Sequence, residues 1–506
     1  MINFTNQKCG VSTIITDDKT MKTKLLLTTI LAIFCLSANA QTWSTPVQVG
    51  SSIYYNLAAE GGNTVHVAYG DGTIFYRRSF NEGATWSSPI TLGTGRLYLE
   101  RSICVDSLDV YVVYFRNFIN RTDWYGTRAC GDLVMRHSAN GGVTWQPEVQ
   151  LTTAQGAYRV SMIASGANVY LTWMDLRSNA TWDIYYRKSI NYGETWQPEV
   201  QLVAGANSFG AERPDIVVNG DSVHLFYMAA AGTEPPCTVE NFTIPICTGA
   251  FYKRSLDGGT TWGAATRLDP GTTFAGRPIA TIVPPTTIVL TWEGLDGTIP
   301  VDKLEIYTLR STDNGTTWSA VQQMRNLPEN AGHPNITANG TNVHLAWHDL
   351  RPPFATEIYY RASFDAGATW QPEELVTNTS ASSVVPILGT TTNYVHAIFG
   401  DGGGNEPYYS RRMLTNTTSI GDMSMGNNII FYPNPFTSQT TLQTDNPLIN
   451  ATLSVYNCFG HTVKQIKHIS GQTITLQRDI LPSGVYLIQI TQENKEIITK
   501  KLIVTD

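Results

Sequence analysis

Six times along the chain the same eight-residue pattern returns, Ser-x-Asp/Asn-x-Gly-x-Thr-Trp: Ser79 to Trp86, Ser138 to Trp145, Ser189 to Trp196, Ser255 to Trp262, Ser311 to Trp318 and Ser363 to Trp370. A repeat spaced by roughly 50 residues means one supersecondary unit copied and stacked. Within it a short Asp or Asn side chain can accept backbone N–H bonds of a turn, Gly permits a positive φ, and Trp covers the result. The pattern is therefore structural, and function is expected away from it.

Each copy is preceded by an aromatic strand such as Ile184-Tyr-Tyr-Arg-Lys188 or Ile358-Tyr-Tyr-Arg361, and followed by a shorter one such as Gln197-Pro-Glu-Val-Gln-Leu202. Two more strands lie upstream, exemplified by Asp215-Ile-Val-Val218 and Val223-His-Leu-Phe-Tyr227. Four strands per repeat make one propeller blade. Only 15% of residues are charged, while Gly, Tyr and Trp abound, which suits strands and tight turns. The fold is read as all-β. Trp43 begins a strand without the pattern before it, and the last repeat, residues 383–412, has three strands and no pattern after them. Residues 42–49 are thus expected to supply the missing outer strand and hide an open edge, giving a seven-bladed β-propeller, with six blades as the alternative.

The repeated pattern is similar to the Asp box, or BNR repeat, of the sialidase-like propellers, and the resemblance spans roughly residues 42–413. That family uses six blades, and its Arg-Ile-Pro signature is absent from the first repeat, which begins Ile53-Tyr-Tyr-Asn56.

Met21-Lys-Thr-Lys24, the apolar run from Leu25 to Leu36 and Ser37-Ala-Asn-Ala40 read as a signal peptide over residues 21–40, with residues 1–20 a mis-called N-terminal extension. The propeller is assigned to residues 41–413 and a linker to 414–428. In residues 429–506, the segments Ile430 to Phe436, Val455 to Gly460, Leu481 to Tyr486 and Lys500 to Val504 resemble the type A sorting domain of the type IX secretion system of Bacteroidetes, expected as a small C-terminal β-sandwich. The resemblance implies the type IX secretion machinery as a partner, and a chain released or attached at the outer cell surface. No other stretch approaches the ~18 apolar residues that span a bilayer, so an integral membrane protein is not expected.

A net charge of -7 without a Lys/Arg run gives no footprint for nucleic acid. Nine scattered His residues and no Asp-rich loop point to no metal and no cofactor. Cys237 and Cys247 bracket a Pro-rich loop and are read as a disulfide in an oxidising compartment, with Cys104 and Cys130 a weaker pair or simply small buried residues.

Aligned on their second strands, the repeats place Tyr55, Glu100, Arg159, Arg213, Arg277 and His333 near equivalent starts of the innermost strands, with Val385 or its neighbours in the last. Arg159, Arg213 and Arg277, with His333, are the candidate ligand-binding residues for a carboxylate or sulfate in a central funnel. Sialidases hold a carboxylate in a similar way, and the resemblance implies an acid and a nucleophile. Asp175, or Asp349, is the candidate acid, and Tyr55, Tyr98 or Tyr158 beside Glu100 the nucleophile pair. Pairing of the arginines with Glu100 or Glu212 is the structural alternative. Trp173-Met-Asp-Leu-Arg177 and its echo Trp347-His-Asp-Leu-Arg351 are read as scaffold. Trp124, Tyr125 and Trp182 are candidate sugar-stacking rings. The function expected is a secreted or cell-surface sialidase-like propeller that binds an acidic glycan or glycoprotein, and as an enzyme an exo-sialidase-like glycoside hydrolase. The alternative is a non-catalytic carbohydrate-binding or adhesion/scaffold propeller.

Overall fold

The computed structural model describes residues 43–414 and 429–506, apart from residues 60, 124–125, 178–180, 206–209, 231–236, 240–241, 245–247, 270–273, 296–302, 326, 328, 352–354, 380, 403–405, 458–461, 480 and 493–494. The expected leader, nearly all of the linker, Trp124, Tyr125 and the Cys237–Cys247 disulfide fall outside the described residues. Two compact units part after Met413. Among the described residues every regular element is a strand, and the strands pair antiparallel.

The first unit is a series of four-stranded meanders. One consists of Ala157–Ser165, Asn168–Asp175, Asp183–Ser189 and Val200–Val203, paired in chain order. The same order recurs over residues 55–96, 103–150, 211–267, 274–323 and 331–375. The last meander has three strands, Val384–Thr390, Tyr394–Asp401 and Glu406–Met413, and takes its fourth from Val47–Gln48, which pairs with Tyr408 and Tyr409. First strands of successive meanders lie against one another, and Val384–Thr390 lies against Tyr55–Ala58, so the series returns to its start.

The repeated pattern makes a self-bonded turn in every copy. The Ser hydroxyl accepts the N–H of the Gly at 2.8–2.9 Å, and the Asn or Asp oxygen accepts the N–H of the Thr at 2.8–3.0 Å. The turn also locks adjacent meanders. Gly142 and Gly315, at φ 76° and 80°, lie so close to the hydroxyls of Tyr76 and Tyr252 in the preceding meanders that a Cβ would collide with them. Gly83 stands in the same way against Tyr409, across the point where the series closes. Trp86, Trp145, Trp262 and Trp318 stand edge-on to Tyr409, Tyr76, Tyr186 and Tyr252, with interplanar angles of 74–81°. Trp43 meets Tyr360 in the same geometry.

Cations just before the turn add a third lock. Arg78, Lys188, Arg254 and Arg310 donate to the turn carbonyls of Gly141, Gly258, Asn314 and Asp365 in a neighbouring meander, and Arg411 donates to those of Asn81 and Glu82. Beneath them His66, His224, His344 and His396 bond through Nδ1 to the hydroxyls of Tyr76, Tyr252, Tyr360 and Tyr409 at 2.6–2.8 Å. Burial pushes these four imidazoles down to about 3, 4, 3 and 3, so each is a neutral core histidine.

The second unit is a five-stranded sheet in which Gln439–Tyr456 pairs with Ile429–Tyr432, Thr462–Gln477 and Gly484–Gln492, and the last of these with Lys495–Val504. Leu442, Leu453, Leu476, Ile488 and Leu502 form its buried core.

Candidate functional site

The site grows out of a recurring fault in the first strand. Between Tyr158 and Val160, Glu212 and Asp215, Gly276 and Ile279, Gly332 and Asn335, and Val384 and Ile387 the pairing to the second strand slips. Within each slip one non-glycine residue has a positive φ: Arg159 (47°), Arg213 (50°), Arg277 (51°), His333 (52°) and Val385 (51°). Such a backbone costs an L-residue on the order of 1–3 kcal/mol and recurs where the geometry is used. Pro214, Pro278, Pro334 and Pro386 follow four of the five.

Glu100 and Arg159 occupy equivalent positions and form an ion pair, with Arg213 3.8 Å from the same carboxylate. Arg277 Nε donates to Glu293 at 2.8 Å, and the other oxygen of Glu293 accepts the backbone N–H of His333 at 2.8 Å. Glu212 is buried beside Arg213 and Arg159; burial raises its carboxyl to about 7 against the lowering pull of both guanidiniums. Burial, reinforced by repulsion from Arg213 and Arg277, drives the Arg159 guanidinium well below its ordinary range. Glu100 Oε2 is buried without a hydrogen-bond partner.

Two cavities flank Arg213. The axial one, about 90 Å³, is lined among others by Glu100, Arg101, Arg213, Arg277 and His333. Its floor is a strut across the ring: Arg101 reaches Asp215 two meanders away, 3.0 Å apart, and also the carbonyl of Ala280. Beyond the strut a further cavity of about 460 Å³ opens among the first strands. The lateral cavity, about 140 Å³, is bounded by Tyr158, Arg159, Glu212 and Arg213, and by Asp123 and Arg128 from the long hairpin Asp109–Asp123 and Gly126–Ser138.

The structure thus brings Glu100, Arg159, Arg213, Arg277 and His333 together. It does not bring Tyr55 or Asp175 to them. Tyr55 is buried and its hydroxyl donates to the carbonyls of Val384 and Val385 at 3.1 and 2.9 Å. Asn56 pairs with Ala68, two residues after His66, as Asp215 pairs with Phe226, two residues after His224. The residue equivalent to Arg213 is therefore Tyr54, one before the expected position. Asp175 is fully buried and accepts from Trp173 Nε1, the Arg177 backbone N–H and the Arg177 guanidinium at 2.6–2.9 Å. Asp349 repeats this with Trp347 and Arg351, and both arginines lie over a tyrosine, Tyr185 and Tyr359. These are scaffold clusters. Trp182 is buried, with Nε1 bonded to Asp123, so it offers no stacking face. Cys130 is a buried thiol that forms no disulfide with Cys104, which is likewise buried.

Glu293 and His348, on second strands, were not expected. They pair with Gly276 and Gly332, and the equivalent partners of Tyr158 and Glu212 are Met174 and Met228. A polar residue replacing Met at a repeated interior position was the available signal.

The chain is thus an export-tagged protein of antiparallel meanders with an arginine-rich cavity at their common centre. Residues 430–505 match the family model of the secretion system C-terminal sorting domain, which places the protein on a route of secretion and attachment to the outer cell surface. No curated protein matches the sequence. Solved structures similar to the chain include a protein of unknown function from Dyadobacter fermentans (15% identity, TM-score 0.41, 73% of this chain and 98% of that one) and an ulvan polysaccharide lyase (9%, 0.48, 73% and 96%). A Hadza microbial sialidase is also similar (14%, 0.42, 68% and 74%).

Proposed function

We propose that the meanders are the seven blades of a sialidase-like Asp-box propeller, followed by a small sorting sandwich, and that the exported chain binds an acidic glycan at the mouth of its central cavities. The leader over residues 21–40 and the type IX route belong to the same reading. The observation that carries it is the set of three arginines held at equivalent positive-φ bulges of adjacent meanders around Arg213. Glu100 and Glu293 pair with Arg159 and Arg277, whereas Arg213 stands beyond hydrogen-bond distance of Glu100. An incoming carboxylate or sulfate takes the open fork of Arg213 and relieves the repulsion among the guanidiniums.

Hydrolysis is the second reading, favoured by Glu212. A carboxyl that keeps its proton near neutrality, in a cavity with Tyr158 and two arginines, suits protonation of a leaving glycosidic oxygen. Glu212 replaces Asp175 in that role.

The test is binding of N-acetylneuraminic acid and glucuronic acid oligosaccharides to the secreted chain by calorimetry, with product analysis. Binding weakened at least ~10-fold by Arg213→Ala supports the reading, since a charge-assisted bond is worth roughly 1.5–3 kcal/mol. Binding to neither sugar overturns it in favour of an adhesion or assembly scaffold. Acidic-sugar release abolished by Glu212→Gln establishes the hydrolase.

A further inference from the structure

The imidazoles of His333 and His348 face each other, with Nδ1 of His333 3.3 Å from Nε2 of His348. On its other side, Nδ1 of His348 lies 3.3 Å from the backbone N–H of Val385, on the next meander. A backbone N–H only donates, so His348 Nδ1 carries a lone pair and its proton sits on Nε2. That proton points at His333 Nδ1, which must in turn be an acceptor. Neutral His333 then carries its proton on Nε2, the ring nitrogen left for the axial cavity that the residue lines.

We infer that His333 is a specificity-determining residue, fixed by the Val385–His348 relay as a neutral Nε2–H donor to an oxygen acceptor of the ligand in the axial cavity. This rests on the axial cavity being the ligand site proposed above. The groups around the relay fit it. Arg277, Arg213 and Arg159 face His333 and oppose a second proton, and Glu293 faces His348 while its carboxylate also holds the His333 backbone. Burial, ahead of these charges, holds His333 well below its ordinary value and pushes His348 down to about 4. In the axial cavity Arg213, Arg277 and an N–H of His333 set three donor groups against the carboxylate of Glu100, which Arg159 already engages, and this favours an oxyanion such as a carboxylate or a sulfate ester over an ammonium group. The relay also removes His333 from any proton transfer, because its free nitrogen has no lone pair to accept with.

The experiment is ring-nitrogen NMR of the full secreted chain labelled with ¹⁵N-histidine, the two residues being assigned from His333→Asn and His348→Phe. The expected result is an unprotonated Nδ1 and a protonated Nε2 on both rings, unchanged between pH 5 and 8, the window where an ordinary histidine titrates. A protonated Nδ1 on His333, or titration inside that window, overturns the inference. In His348→Phe the His333 signals should shift to a mixture of tautomers; unchanged signals overturn the relay. With N-acetylneuraminic acid as probe, His333→Phe should weaken binding about 10-fold and His333→Asn, which keeps a donor, by less. Equal losses in the two variants overturn the donor role. Absence of binding in the wild-type chain refutes the proposed function while leaving the tautomer result to be read on its own.

Discussion

Trp43 stands edge-on to Tyr360 with ring centroids 5.2 Å apart, the same relationship that Trp86 has to Tyr409 at 4.9 Å. A residue from the start of the chain therefore occupies, in the last meander, the place that a turn tryptophan occupies in the others. Closure of the series depends on it. Trp43→Ala should cost about 2–4 kcal/mol, comparable to Trp318→Ala and more than a typical surface truncation. Chemical denaturation checks the cost, and hydrogen exchange should show Glu406–Met413 losing protection first. Equal protection in mutant and wild type would refute the closing role.

The turn glycines divide into two kinds. Gly166, at φ 56°, has open space where a Cβ would go, whereas Gly142, at φ 76°, faces the Tyr76 hydroxyl. Gly166→Ala should cost about 1 kcal/mol from backbone conformation alone. Gly142→Ala adds a collision between meanders and should cost at least ~2 kcal/mol more. Matched thermal melts of the two variants test this.

Four buried histidines make stability depend on pH in a defined direction. Their folded values, near 3–4, lie below the unfolded value of 6.5, so the unfolded chain takes up protons that the folded chain refuses. Their contribution is complete above pH 6.5 and is lost as pH falls from 6.5 toward 4, by up to about 1.4 kcal/mol per pH unit for each histidine. Denaturation across that range should show stability falling with acid, with a shallower slope in His344→Phe.

Asp175 and Arg213 are expected to fail differently. Asp175→Ala strands the buried Trp173 indole and leaves the Arg177 guanidinium with Glu199 as its remaining carboxylate, and leaving a buried donor unsatisfied costs about 1–3 kcal/mol. It should lower the melting temperature and leave glycan affinity unchanged. Arg213→Ala should do the reverse. A loss of affinity in a folded Asp175→Ala protein would reopen its assignment.

Much of this was legible in the sequence because the repeat writes its locks in residues of unmistakable character. The turn Ser, Asp/Asn, Gly and Trp each have a partner that the spacing predicts, and the missing outer strand could be inferred from one surplus Trp. The bulge residues Arg159, Arg213, Arg277 and His333 were also found, because they sit at one offset from the second strand. Tyr55 was placed one residue late. The turn between the first two strands is one residue longer in the first meander, where Ala58 pairs with His66, than in the fourth, where Val217 pairs with His224, so a fixed count back from the second strand stops one residue short. Asp175 was misread because an acidic residue at a strand end looks the same whether it faces a cavity or a neighbouring arginine. The Arg101–Asp215 strut depends on a contact between meanders far apart in sequence, where no local spacing points, whereas Glu293 and His348 stand out only as polar residues at a register position that carries Met in other meanders.

The pairing of Val47 with Tyr409 sets the order in which the molecule can be finished. The strand Val47–Gln48 has no partner until the strands of the last meander exist, so among the described strand pairings of the unit this one is the most distant in sequence and bears the largest loop-closure cost. Every other meander is assembled from neighbours. This one is a clasp, and until it shuts the ring has two raw edges and no fixed circumference.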